Sequence, residues 1–132
     1  MIVVDTQMLV YATTPNPFSD LAFRVGLKDP HWRTSTLWRS EFRSVLAGGL
    51  RRGSFDLDDA VRVFAAAARL LEAELLADSA SVLSLVAVSR CTAYDLEFVA
   101  VALSLGVPLV TNDKQVLAEF PAVAISPEAF AA

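Results

Sequence analysis

Two acidic residues follow apolar runs that are typical of buried parallel strands. Asp5 comes directly after Ile2-Val3-Val4, and Asp113 comes shortly after the predicted strand at residues 108–111. Open α/β sheets place their functional sites at the carboxyl ends of the strands, so both carboxylates would emerge where such a site is expected. Each residue could instead serve only as the N-cap of the helix that follows it.

Two further acidic residues lie on predicted helices. Glu41 projects from the largely apolar side of its helix, where a carboxylate is costly unless it is paired or bound to a metal. The alternative is a glutamate at the boundary of the core that reaches water. Asp95 has Phe98 and Val99 as same-face neighbours, although Thr92-Ala93-Tyr94-Asp95 also fits a simple helix start.

Carboxylates gathered at one edge of a sheet would repel each other and raise each other's pKa. An oxygen-only set of this kind suits Mg²⁺ or Mn²⁺, and a bound metal can activate a water molecule and hold a phosphate for in-line attack. His31 is the only histidine and Cys91 the only cysteine. We therefore expect chemistry that uses neither imidazole nor thiolate, and the single cysteine fits a reducing cytoplasm.

Size and composition narrow the class of protein further. The 132 residues suit one domain, and the net charge of −4 argues against binding nucleic acid through bulk positive charge. Apolar residues make up 55% of the chain. The longest apolar stretch, at residues 98–110, is well short of the roughly 20 residues that a membrane span needs. The opening residues lack the features of a signal peptide. We expect the surplus apolar surface to pack against another copy or another protein.

Strands and helices alternate along the chain, which predicts a three-layer α/β/α domain with a central, mainly parallel sheet. The segment at residues 72–77 is ambiguous between a helix end and a strand, and a turn or helix follows near residue 126. The remaining predicted strands are residues 2–4, 32–35, 108–111 and 123–125, and the predicted helices are residues 8–13, 17–28, 36–52, 57–71, 82–89, 93–105 and a final one from 112.

The acidic residues and their neighbours resemble those of the PIN-domain ribonucleases, most closely the VapC-type toxins of type II toxin–antitoxin systems. The resemblance covers nearly the whole chain, and the order and spacing of its short motifs make it specific. It rests on Val4-Asp5-Thr6, Trp38-Arg39-Ser40-Glu41-Phe42, Thr92-Ala93-Tyr94-Asp95 and Thr111-Asn112-Asp113.

The resemblance implies that Asp5, Glu41, Asp95 and Asp113 hold Mg²⁺ or Mn²⁺ as the catalytic set. Thr6 and Thr111 match hydroxyl positions beside that site. It also implies a single Rossmann-like PIN domain over residues 1–132, cleavage of RNA, a homodimer and a VapB-like antitoxin lying across the active-site groove. Gln7 departs from the family, which more often has Asn there, and this puts the geometry of the local loop in question.

Other functions remain open at this point. An aspartyl-phosphate hydrolase would use Asp5 as nucleophile but would want a second aspartate where Gln7 stands. A receiver-type phosphoacceptor domain would want paired acids near the first strand. A PIN-like module without catalysis would only bind RNA or protein. The basic residues of the helix that carries Glu41 either contact phosphates or form a solvated face; they are Arg39, Arg43, Arg51 and Arg52.

Overall fold

The computed structural model describes residues 1–132 as five β-strands and eight α-helices. In chain order these are β1 (Ile2–Val4), α1 (Thr6–Thr13), α2 (Ser19–Lys28), β2 (Trp32–Ser35), α3 (Trp38–Arg52), α4 (Leu57–Leu70), β3 (Leu71–Leu75), α5 (Ser79–Ala87), α6 (Ala93–Leu105), β4 (Leu109–Val110), α7 (Lys114–Glu119), β5 (Ala124–Ile125) and α8 (Pro127–Ala131). None of these helices combines the length and the apolar character needed to cross a lipid bilayer.

The five strands form one parallel sheet in the order β3-β2-β1-β4-β5. The first strand is therefore central, and all three of its residues are buried because helices cover both faces of the sheet. One apolar core lies beneath α1 to α4, and a second lies beneath α5, α6 and α7. The predicted three-layer α/β/α architecture is confirmed.

Helix ends are set by local signals that the sequence displays. The side chains of Asp56 and Thr92 accept hydrogen bonds from backbone N–H groups in the first turns of α4 and α6. Gly53 and Gly106 end α3 and α6 with φ angles of 72° and 66°. Glycine adopts this left-handed conformation without the steric penalty of a side chain.

Several element boundaries differ from the prediction. α1 begins at Thr6, two residues early, because Asp5 caps it. Conversely, α3 begins only at Trp38. The helix after Asp113 is not the last one, since the turn near residue 126 opens α8. The ambiguous segment forms β3, where Arg33, Thr34 and neighbouring residues of β2 supply its parallel partner.

Candidate active site

A cavity of about 630 Å³ opens at the carboxyl ends of β1 and β4. All four of the acidic residues predicted from the sequence line it: Asp5, Glu41, Asp95 and Asp113. These residues come from two strand ends and two helices. Each of the four is half-buried. The fold therefore brings together carboxylates that are widely separated along the chain.

The two strand-end aspartates cap helices and line the cavity at the same time. Oδ1 of Asp5 accepts a hydrogen bond from the backbone N–H of Met8 at 3.0 Å. Oδ1 of Asp113 accepts from the backbone N–H groups of Gln115 and Val116, each at 3.0 Å. Helix capping and participation in a site were alternatives in the sequence; in the structure both residues cap a helix and line the cavity.

Glu41 and Asp95 reach the cavity from helices on opposite faces of the sheet. Glu41, in the first turn of α3, accepts a hydrogen bond from the Thr6 hydroxyl at 2.7 Å. Asp95, in the first turn of α6, is fixed through its backbone N–H, which donates to Oγ1 of Thr92 at 3.1 Å. Glu41 thus lies at the boundary of the core but points into the cavity.

The hydroxyl of Thr111 links the two strand ends. Thr111 is only 1% exposed, and its Oγ1 donates to Oδ2 of Asp5 at 2.5 Å while accepting from the backbone N–H of Asp113 at 3.0 Å. Together with the bond from Thr6 to Glu41, this contact orients two of the four carboxylates. Both hydroxyl positions singled out in the sequence therefore contact acidic side chains of the cavity.

The negative charge of the cavity has no basic partner in its lining. Burial raises the pKa of Asp5 to about 6, and the charges of Asp113 and Glu41 add to this effect against the hydrogen bonds from Thr111 and Met8. Burial likewise raises the pKa of Glu41 and of Asp95. No lysine, arginine or histidine lines the cavity. Such a site favours the binding of a positive charge.

The chemistry of the donor atoms fits a hard divalent cation. Carboxylate and hydroxyl oxygens line the cavity, and no thiolate or imidazole does. Oε2 of Glu41 and Oδ2 of Asp113 accept no hydrogen bond from the protein. No three acidic side chains are already arranged as a metal-binding cluster. A cation bound in this arrangement would be held directly by one or two carboxylates, with water molecules completing its coordination.

Tyr11 and Asn112 also line the cavity, and their contact was missed in the sequence. The available signals were adjacency, since Asn112 lies between Thr111 and Asp113, and helical spacing, since Tyr11 lies one turn after Gln7. Gln7 belongs to the first turn of α1, so no tight loop exists there for an asparagine to favour.

The arginines of α3 do not line the cavity. Arg39 instead donates to both carboxylate oxygens of Glu74 on β3, at 2.6 and 2.7 Å. Arg43 contacts Ser40 of its own helix at 3.2 Å. These arginines do not neutralise the negative charge of the cavity, so a cation that neutralises it must come from elsewhere.

The structure is a parallel sheet between two layers of helices with acidic residues at its carboxyl edge, and the sequence comparison identifies the family. The family model described as PIN domain matches residues 2–124. The chain therefore belongs to the PIN domain family, whose fold is generally that of a nuclease. No curated protein matches the chain in sequence.

Proposed function

We propose that this PIN domain is a Mg²⁺- or Mn²⁺-dependent endoribonuclease that hydrolyses RNA phosphodiester bonds. The observation that carries the proposal is the convergence of Asp5, Glu41, Asp95 and Asp113 on one cavity that contains no basic side chain. The acidic cavity would repel the phosphate groups of RNA unless a cation neutralised its charge, because like charges repel strongly in a partly buried site.

Within this proposal the four carboxylates hold the metal, and the hydroxyls of Thr6 and Thr111 keep two of them oriented. A divalent cation bound there supplies positive charge to the phosphate and lowers the pKa of a water molecule. The hydroxyl contacts matter because partners behind metal ligands fix the ligand geometry. No histidine or cysteine is needed for this division of roles.

We propose further that this protein is a cytoplasmic VapC-type toxin. In this proposal it forms a homodimer and binds a VapB-like antitoxin. The proposal is supported by the motif resemblance and by apolar side chains that remain exposed on the isolated chain. Phe23 and Leu27 on α2, and Leu83 on α5, each expose more than half of their surface. Surfaces of this kind are typical of protein–protein contacts.

The metal and the reaction are tested by titrating Mn²⁺ calorimetrically and by assaying RNA cleavage. Wild type should bind Mn²⁺ and cleave RNA, whereas Asp95→Asn should lose both because one charged oxygen donor is removed with little change in volume. Asp20→Asn is the control, since Asp20 is an exposed acid on α2 outside the cavity. Wild type that binds Mn²⁺ without cleaving RNA would identify a binding module instead of a nuclease.

The partners require separate measurements. Co-expression with the adjacent upstream reading frame should give a stable complex that co-purifies and suppresses cleavage. Light scattering of the isolated chain should give the mass of a dimer. Repeated failure of the two chains to co-purify would count against an antitoxin, and a monomeric mass would remove the homodimer from the proposal.

A further inference from the structure

A phosphate group entering the cavity needs hydrogen-bond donors, and the lining offers few that are free. No basic side chain is present. The hydroxyls of Thr6 and Thr111 already donate to Glu41 and Asp5. The remaining neutral donors must therefore supply any direct contact between the protein and the oxygens of a bound phosphodiester.

Tyr11 is the buried neutral donor whose hydrogen is uncommitted. The residue is 8% exposed and lines the cavity. The amide of Asn112 donates to its hydroxyl oxygen at 3.5 Å, and no carbonyl or carboxylate of the protein accepts the phenolic hydrogen. Buried tyrosine hydroxyls usually have a hydrogen-bond acceptor, so this one points to an acceptor that is not part of the protein.

The orientation of the Tyr11 ring is fixed from two sides. The ring stacks on Phe18 with 4.6 Å between centroids and 26° between planes. Asn112, in the loop between β4 and α7, contacts the hydroxyl from the opposite end of the chain. A donor held in this way loses little conformational freedom when it binds a ligand.

We propose that Tyr11 is a substrate-binding residue whose hydroxyl donates to a non-bridging oxygen of an RNA phosphodiester in the cavity, with Asn112 and Phe18 as positioning residues. The inference rests on the proposed ribonuclease function and deepens it. A neutral hydroxyl suits this position because a lysine or arginine would form an ion pair with the neighbouring carboxylates. A hydrogen bond to a charged oxygen is stronger than one between neutral groups.

The test compares Tyr11→Phe with Tyr94→Phe. The first change keeps the ring and its stacking but removes the hydroxyl, and the second removes the hydroxyl of the other tyrosine, which is 64% exposed and outside the cavity. Tyr11→Phe should lower kcat/KM for RNA cleavage about tenfold, as expected for a hydrogen bond to a charged group. Its melting temperature and Mn²⁺ affinity should match wild type. Tyr94→Phe should match wild type in all three.

Asn112→Ala separates positioning from binding. It should reduce kcat/KM in the wild-type background and have a much smaller effect in the Tyr11→Phe background, because the two residues act through one hydroxyl. Additive losses in this cycle would overturn the positioning role of Asn112.

A measurement of RNA binding distinguishes a failure of this inference from a failure of the proposed function. A fluorescently labelled single-stranded RNA whose phosphodiester bonds resist hydrolysis is titrated into the protein with and without Tyr11→Phe in the presence of Mn²⁺, so that the metal is bound and no substrate is cleaved. Weaker binding with the added change supports the role of Tyr11 even if wild type proves not to be a nuclease. Wild-type rates of cleavage by Tyr11→Phe would overturn the inference while leaving the nuclease standing. Absence of both cleavage and RNA binding in wild type would overturn both.

Discussion

The surroundings of carboxylates in two regions of this protein shift their pKa values in opposite directions. In the cavity, burial raises the pKa of Asp5, Glu41 and Asp95, and neighbouring acids add to the effect. On the edge strand β3, the hydrogen bonds from Arg39 lower the pKa of Glu74. The residue types are alike; the difference lies in burial, which is the main cause in the cavity, and in the guanidinium partner of Glu74.

The contrast separates carboxylates whose charge stabilises the fold from carboxylates whose charge destabilises it. Glu74 gains a guanidinium partner on folding, so its charge favours the native state. Asp5 enters a desolvated cavity beside other acids, so its charge opposes the native state in the absence of metal. A cost of this kind is typical of functional sites, where stability is given up for chemistry.

The largest expected effect comes from Asp5→Asn. We expect RNA cleavage to fall about 1000-fold, the upper end of the range for losing one electrostatic contact in an active site. The metal-free protein should become more stable at neutral pH, because the buried charge disappears. Cleavage assays and thermal melts in EDTA measure the two effects.

Asp56→Asn is the matched control for this change, since Asp56 caps α4 as Asp5 caps α1, with a hydrogen bond from the Asp59 backbone at 2.8 Å. Asparagine is an equally good cap, so cleavage should stay at the wild-type rate. Unchanged cleavage by Asp5→Asn would contradict the role of Asp5.

The pH dependence of stability should follow from the same residue. Because the folded pKa of Asp5 lies near 6, above its ordinary value of 3.8, its contribution to stability is fully present below about pH 4 and is lost as pH rises through 6. The loss over this whole window is at most about 3 kcal/mol. Denaturant unfolding in EDTA between about pH 5 and about pH 7 should therefore show decreasing stability, and Asp5→Asn should flatten the curve. An equally steep curve for the variant would assign the dependence to other groups.

Thr111→Val should have an intermediate effect. The change keeps the shape of the side chain but removes the hydroxyl that contacts Asp5 and Asp113. We expect Mn²⁺ affinity and cleavage to fall about tenfold, in line with the loss of a partner behind a metal ligand. Thr34→Val is the control, because Thr34 is equally buried and donates to the Val4 carbonyl at 2.6 Å. Thr34→Val should lower the free energy of unfolding without changing the Mn²⁺ affinity.

The smallest effect is expected from Arg39→Gln. The variant loses the ion pair with Glu74, which lies at the surface, so the melting temperature should fall by about 2 °C or less. Cleavage should remain at the wild-type rate, because Arg39 does not line the cavity. A tenfold fall in cleavage would instead place this arginine on the substrate path.

The sequence reveals those features of the site that depend on local chemistry. Asp5 and Asp113 stand out because an acid at or shortly after the end of an apolar strand has few roles, and Thr92 because a cap acts over three residues. The contact between Tyr11 and Asn112 joins residues 101 positions apart, so local patterns place each residue near the site but do not pair the two. The same holds for the partner of Arg39, since β3 is a half-exposed strand whose alternation is too short to identify.

The central place of β1 in the sheet determines when the site exists during synthesis. β1 is translated before the other four strands of the sheet, yet it pairs with β4, and Asp5 bonds to a threonine 106 positions later. Closing so long a loop must wait until β4 and Thr111 have been translated. A nascent chain that does not yet contain Asp113 therefore lacks the complete acidic cavity, and the proposed cleavage activity cannot act on RNA at that stage of synthesis.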